Sequence, residues 1–515
     1  MSAIQGSLSR GSLSKDRLGV PSVVFFVMSA AAPLTVIAGV VTTAYAQIGV
    51  TGIPLGFVAI AIILAFFSVG YVAMSRHIAN AGAFYTYVTH GLGRPLGVGA
   101  AWMALLAYNA LQMGLYGIIG AATQPVLDKF FGITPEWWVI ALATWAIVAI
   151  LGVLRVDVNG VVLAFLLCAE IAIVLVYDYV FLTQPANDTV TFDTLAPSNL
   201  FGTGVLAVGA ILVITFLGFT GFESSVVFSE ESKNPRRTVA LATYIALVII
   251  GGAYALSSWA MSVATGPDNI VQVSTENGPG TIFLLAGERL PEVFTDIGTV
   301  LFATSVLAAA ISFHNTVARY TFALARERVF PSLLSATARR SGAPFAGSLM
   351  QSLLGLVVIV LYVAFNLDPV VQLFFWVGTG GGFGIMLLVT VTSLAVIMFF
   401  LRNPQGENLW RRLIAPVLSL VALGAVSFFA IKDFNALLGV EPDDPLRWII
   451  PLLYPAVAVL GIIWALILKG AKPDVYARIG LGANTGTGIA TQSRVVSGEQ
   501  YQAQHGTTAG RDIYQ

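Results

Sequence analysis

Apolar runs recur twelve times along this chain, near residues 22–47, 53–75, 95–125, 137–154, 158–182, 205–231, 237–264, 292–325, 345–366, 369–401, 411–432 and 447–469. Crossing the hydrocarbon core of a bilayer takes about 20 such residues. Hydrocarbon offers no partner to a backbone N–H or C=O, so each run must satisfy its own hydrogen bonds as a helix. The expectation is an all-α integral membrane protein with about 12 transmembrane helices. Charged residues make up only 10% of the 515, whereas soluble domains carry roughly 25%.

Lys plus Arg equals Asp plus Glu at 26 each, so no basic excess points to nucleic acid, and the placement of charge carries the information. With the N-terminus inside, the outer loops hold only Lys129, Arg289, Lys432 and Arg447. The inner set includes Arg76, Arg155, Lys233, Arg236, Arg237, Arg326, Arg328, Arg339, Arg340, Arg402, Arg411, Arg412, Lys469 and Lys472. Such a bias over short loops places both termini of a multi-pass protein in the cytoplasm. Residues 1–19 form a polar cytoplasmic segment, and the apolar run after them is too long for a signal-peptide core. The outer loops at 183–204 and 265–291 are rich in turn residues, with a short helix expected at Ile282–Glu288. The polar tail, 470–515, is expected to be disordered.

Most chemistries find no support. Cys168 is the only cysteine, which rules out an intramolecular disulfide and a cysteine metal cluster. Histidines 77, 90, 314 and 505 lack metal-ligand spacing, and no nucleophile–base constellation appears. No cofactor is expected. The glycine-rich stretch Gly378–Gly384 has neither the spacing nor the lysine of a phosphate loop, so close helix packing or a hinge explains it better.

Two spans carry interruptions. The sixth reads Gly218-Phe219-Thr220-Gly221 in its middle, followed by Glu223, and the first reads Ser29-Ala30-Ala31-Ala32-Pro33-Leu34-Thr35. Pro33 removes a backbone donor and clashes with the preceding turn. Single Pro and Gly residues are common as kinks or packing sites, but interruptions at corresponding places in two halves point to an inverted-repeat transporter. Half-helix N-termini suit a carboxylate and C-terminal carbonyls suit an ammonium, so a site with both is shaped for a zwitterion. Gly218 lies roughly 20 Å below the outer end of its span at 1.5 Å per residue, near mid-membrane.

The segments TFLGFTGFESSVVFSEESKNPRRT, NAGAFYTYVTHGLGRPLG and NTVARYTFALARERVFP resemble, in order, motifs of the amino acid–polyamine–organocation family of permeases, with Ala83 where a second glycine is frequent. The likeness covers about residues 20–401. It implies a LeuT-like core of five plus five helices in inverted repeat over 20–401, with peripheral helices eleven and twelve over 402–469. Its implied activity is transport of amino acids or related amines. In the sixth span it implies that Phe219, Thr220 and Gly221 surround the substrate amine and an aromatic gate, beside Gly218. The first span departs from the family's Gly-Ser-Gly, leaving Ser29, Pro33, Thr35 and Gly39 as candidates around the substrate carboxylate.

Further polar residues are candidates for coupling or gating. Glu223 begins the inner half of the sixth span, where it either caps the half-helix or takes part in substrate, proton or gate chemistry. Glu170 lies mid-membrane in the fifth span. Some members of the family it resembles place a lysine near there, in place of a sodium ion between spans one, five and eight, and Glu170 either serves as its proton-binding equivalent or is a neutral hydrogen-bonded carboxyl. Ser312 and Asn315 in the eighth span offer groups for Na⁺, and His314 is better explained as an interhelical hydrogen-bonding residue. Tyr108, Asn109 and Gln112 in the third span line the pathway or pack.

The resulting expectation is a secondary active transporter working by alternating access, coupled to protons as a symporter. Amino acid exchange ranks second and sodium coupling third, with a channel or membrane enzyme behind them. Without an extra acidic partner in the central helices, neutral substrates are favoured over cationic ones. The particular substrate and the oligomeric state stay open.

Overall fold

The computed structural model describes residues 18–78, 82–154, 156–201, 205–338 and 342–482. The N-terminal segment before Leu18, the tail beyond Gly482, and Arg155, Arg339 and Arg340 of the inner basic set lie outside the described residues. Among the described residues, eleven helices are long and apolar enough to cross a membrane. The remaining expected span, Trp137–Gly152, is a shorter apolar helix of 16 residues. The protein is an all-α membrane protein.

Burial differs widely among the spans. In the first span, Val20–Ile48, 94% of the apolar window is buried inside the protein, and in the sixth 89%. The eleventh, Trp410–Lys432, falls to 39% and the twelfth, Leu446–Ala471, to 22%. Leucines such as Leu452 and Leu466 there face outward, as a lipid-facing surface requires. The twelfth nevertheless packs tightly on the third, Arg94–Phe131: a Cβ on Gly461 would stand 2.9 Å from Gly99 Cα. Along Gly378–Gly384, a Cβ at Gly381 would meet the Ala107 carbonyl at 2.9 Å and one at Gly382 would meet Leu217 at 2.9 Å. Close packing, one of the two expectations for that stretch, accounts for these glycines.

Both interruptions are present. The N-terminal half of the first span, Val20–Ala31, stops at Ala32, whose φ of 43° is left-handed. Helix then resumes through Pro33–Thr35, a π-helical stretch Val36–Val41, and Thr42–Ile48. The sixth span is α-helical over Val205–Phe219 and continues beyond Gly221 only as a 3-10 turn, Phe222–Val226. Gly221 takes a φ of 105°, and a Cβ there would stand 2.7 Å from that of Ala30. The two breaks meet at this point, and only glycine fits both the backbone and the contact.

Some elements differ from expectation. A separate helix, Ala83–Leu92, precedes the third span, opened by Ala83 at φ 38°, the position where a glycine would be unstrained. The loop 265–291 carries two helices, Ile270–Asn277 and Thr281–Gly287, rather than one. The start of the supposedly disordered tail is ordered: Pro473–Arg478 is helical, and the Gly480 and Gly482 amides each donate to the buried Glu327 carboxylate at 2.7 Å. Composition marks those residues as polar, but it does not register that two glycine amides meet a buried acid.

Candidate functional site

Where the breaks meet, the spans enclose a cavity of about 50 Å³. Ala30, Ala31, Ala32 and Thr35 of the first span and Leu217 and Thr220 of the sixth border it. Leu111 and Leu115 of the third, Phe313 of the eighth (Glu292–Arg326) and Phe374 of the tenth (Pro369–Arg402) complete most of the wall. The lining is almost wholly apolar, and no carboxylate belongs to it.

The break in the first span can be followed group by group. The Ala32 N–H bonds to the Met28 carbonyl at 2.9 Å, and Pro33 has no N–H. Leu34 donates to Glu170 Oε2 at a long 3.4 Å, Thr35 to Ser305 Oγ at 3.3 Å, and Val36 back to Ala32 at 3.0 Å. The orphan donors of the C-terminal half are thereby accounted for. Ser305 donates in turn to Glu170 Oε2 at 2.8 Å, and the Thr35 hydroxyl donates to Ser305 at 3.0 Å. Glu170, only 2% exposed, thus ties the fifth span to the first and the eighth.

The sixth-span break has a carboxyl of its own. Glu223 is fully buried and accepts from the Gly221 N–H at 3.0 Å through one oxygen and from the Tyr108 hydroxyl at 2.7 Å through the other. Its backbone carbonyl accepts from Tyr71 at 2.9 Å. The capping geometry and a tie to the third span therefore coexist in one side chain.

Of the residues expected around substrate, Thr35 and Thr220 line the cavity, and Ser29, Pro33, Gly39, Gly218, Phe219 and Gly221 are not among its lining residues. The Phe219 ring packs against Phe57 and Tyr254, with centroids 6.2 and 6.0 Å away, so Phe313 and Phe374 supply the aromatic wall instead. Gly39 is a packing position: a Cβ there would stand 3.0 Å from both Ile118 and Phe374. Gly218 likewise leaves room for Phe57 and Val36, at 2.9 Å. Ser29 Oγ, Ser312 Oγ and Asn315 Nδ2 are buried with no hydrogen-bond partner. His314 bonds Ser348 at 2.7 Å and Gln112 at 3.3 Å, an interhelical network joined by Gln351. Asn109 bonds only to its own helix, at Leu105.

Three groups escaped the sequence reading. Asp178 is buried in the fifth span on a 2.7 Å bond from Ser257, and its Oδ1 has no partner. Arg319 and Glu231, each 3% exposed, form a 2.7 Å ion pair near the C-terminal end of the eighth span. Leu18 adds a backbone clasp there, donating to the Glu231 carbonyl at 3.0 Å and accepting from Lys233 at 2.9 Å.

Comparison with known proteins decides the family, because residues 22–473 match the family model described as amino acid permease. The chain belongs to the amino acid permease family. It is a permease, not an enzyme. It is 24% identical over 403 residues to the low-affinity putrescine importer PlaP of Escherichia coli, covering 75% of this chain and 82% of that one. It is 28% identical over 228 residues to human cationic amino acid transporter 4, covering 44% of this chain and 33% of that one. With the methylthioribose transporter of Bacillus subtilis it shares 23% identity over 238 residues, 46% of this chain and 48% of the relative.

Proposed function

We propose that this permease is a secondary active transporter of the plasma membrane that carries amino acids or related amines by alternating access, with both termini cytoplasmic. The observation that carries the reading is the meeting of two interrupted spans beside one cavity. The breaks hold corresponding places in two halves of five spans, the arrangement in which one bundle rocks against the other around a central site.

Proton coupling follows from the two buried acids. A proton on Glu170 or Glu223 changes what each accepts from Ser305 and Leu34, or from Tyr108 and Gly221. The bonds from Ser305, Leu34 and Tyr108 join different spans, while that from Gly221 holds the sixth-span break itself, so proton occupancy is linked to movement between the spans. Glu170 is the leading coupling group, since its bonds hold the first span to the fifth and the eighth.

The test is uptake by purified protein in liposomes across a panel of labelled amino acids and amines, with pH and Na⁺ gradients imposed separately. Saturable uptake of one class, driven by an inward proton gradient, is the expected result. Uptake that needs only internal substrate would indicate exchange, and failure to transport any amino acid or amine would overturn the reading.

A further inference from the structure

Resting on that reading, we propose that the substrate is an amine with a short apolar body and no carboxylate. The argument turns on which helix ends at the break are already satisfied. The positive ends are. In the C-terminal half of the first span, the N–H groups of Leu34 and Thr35 are taken by Glu170 and Ser305, and the Gly221 N–H of the sixth span is taken by Glu223. A protein carboxyl therefore stands at each place where a helix start would receive a substrate carboxylate.

The negative ends are not satisfied in the same way. Of the last four carbonyls of Val20–Ala31, Met28 accepts from the Ala32 N–H and Ala31 from the Tyr254 hydroxyl at 2.7 Å. The Ser29 carbonyl loses its helical donor because Pro33 has no N–H, and the Ala30 carbonyl loses its own because Leu34 turns to Glu170. Ser29 Oγ, buried beside them, has no partner. Val205–Phe219 also ends at the break, so the negative ends of two helix dipoles converge there; its Leu217 carbonyl already accepts from the Thr220 N–H at 3.1 Å and hydroxyl at 2.7 Å, which leaves the first span, with Ala30 on the cavity wall, to supply the open acceptor. The Ala30 carbonyl is thus the acceptor for an ammonium, with Ser29 behind it.

The rest of the cavity sets the body of the ligand. At about 50 Å³ it has room for roughly four water-sized groups, taking ~10–15 Å³ for each. Leu111, Leu115, Phe313 and Phe374 would surround a second ammonium with no acid among the lining residues, so a monoamine fits better than a diamine.

The experiment is calorimetric titration of the full-length protein in nanodiscs with matched pairs differing only by a carboxylate: ethylamine and alanine, isobutylamine and valine. Butylamine and putrescine are compared in parallel. The amine should bind at least ~10-fold more tightly than its amino acid in each pair, and butylamine more tightly than putrescine. In Glu170→Ala, which frees the Leu34 N–H, the preference within each pair should move toward the amino acid by about 10-fold. The wild-type ranking stands on its own if that variant does not fold. Tighter binding of the amino acids overturns the missing carboxylate while leaving transport intact, and tighter binding of putrescine overturns the apolar body. If no amine or amino acid binds, and none is taken up in liposomes, the transport reading falls and this inference falls with it.

Discussion

The Tyr108 hydroxyl of the third span donates to the carboxylate of Glu223, just past the break of the sixth, at 2.7 Å. The bond runs from a continuous helix to an interrupted one, beside the cavity. Tyr108 also stacks at a tilt on Phe313, 6.2 Å between centroids, so the ring that holds Glu223 touches the aromatic wall of the site.

Tyr108→Phe keeps the ring and removes the donor, leaving Glu223 Oε1 buried without its partner. The cost should be about 1–3 kcal/mol. A lower thermal midpoint together with a reduced maximal uptake rate is the expected outcome, measured by thermal unfolding in detergent and by liposome uptake.

Glu170→Gln preserves shape and an oxygen for Leu34 while removing the titratable proton. Uptake driven by a pH gradient should be abolished, with substrate binding largely retained. Proton-driven uptake at the wild-type rate would remove Glu170 from coupling.

Gly221→Ala places a Cβ at a left-handed φ of 105° and 2.7 Å from the Ala30 Cβ. Strain of order 1–3 kcal/mol is expected, and the breaks must separate to relieve it. Transport should fall more steeply than expression or folding yield, compared on the same preparations.

Glu327 sits just beyond the C-terminal end of the eighth span, and burial holds its carboxyl above the ordinary value of 4.5 despite bonds from Tyr85, Gly480 and Gly482. An acid with a raised value stabilises the docked state most below its ordinary value, and that contribution is lost as pH rises through the raised one. Docking of Pro473–Gly482 should therefore weaken as pH climbs above 4.5. Hydrogen exchange at the Gly480 and Gly482 amides, corrected for intrinsic rates, should show protection falling with pH, and Glu327→Gln should flatten that dependence.

The parts of this molecule legible in its sequence are those written in local patterns. Long apolar runs declare the spans because lipid leaves the backbone no alternative, and Pro33 and the Gly218–Gly221 pair declare the breaks because those residues punctuate helices. What lies between distant segments is not written locally. Ser305 had no feature to link it with Glu170, and Arg319 and Glu231 sat inside recognised motifs with no sign that they pair. The Phe219 ring was assigned to the gate from its place in a motif, but rotation about the helix axis turns it toward Phe57 and Tyr254. The ordered start of the tail was missed for the same reason, since its anchor is a buried acid far away in sequence.

The central claim is that substrate is held between the two breaks and released to one side at a time. Counterflow tests it most directly: liposomes containing the protein are loaded with unlabelled substrate, diluted into a trace of labelled substrate, and followed in time without any ion gradient. Alternating access predicts a transient accumulation of label above equilibrium, saturable and suppressed by a competing amine. A steady approach to equilibrium with no overshoot, in protein that demonstrably transports, would contradict it and indicate an open pore.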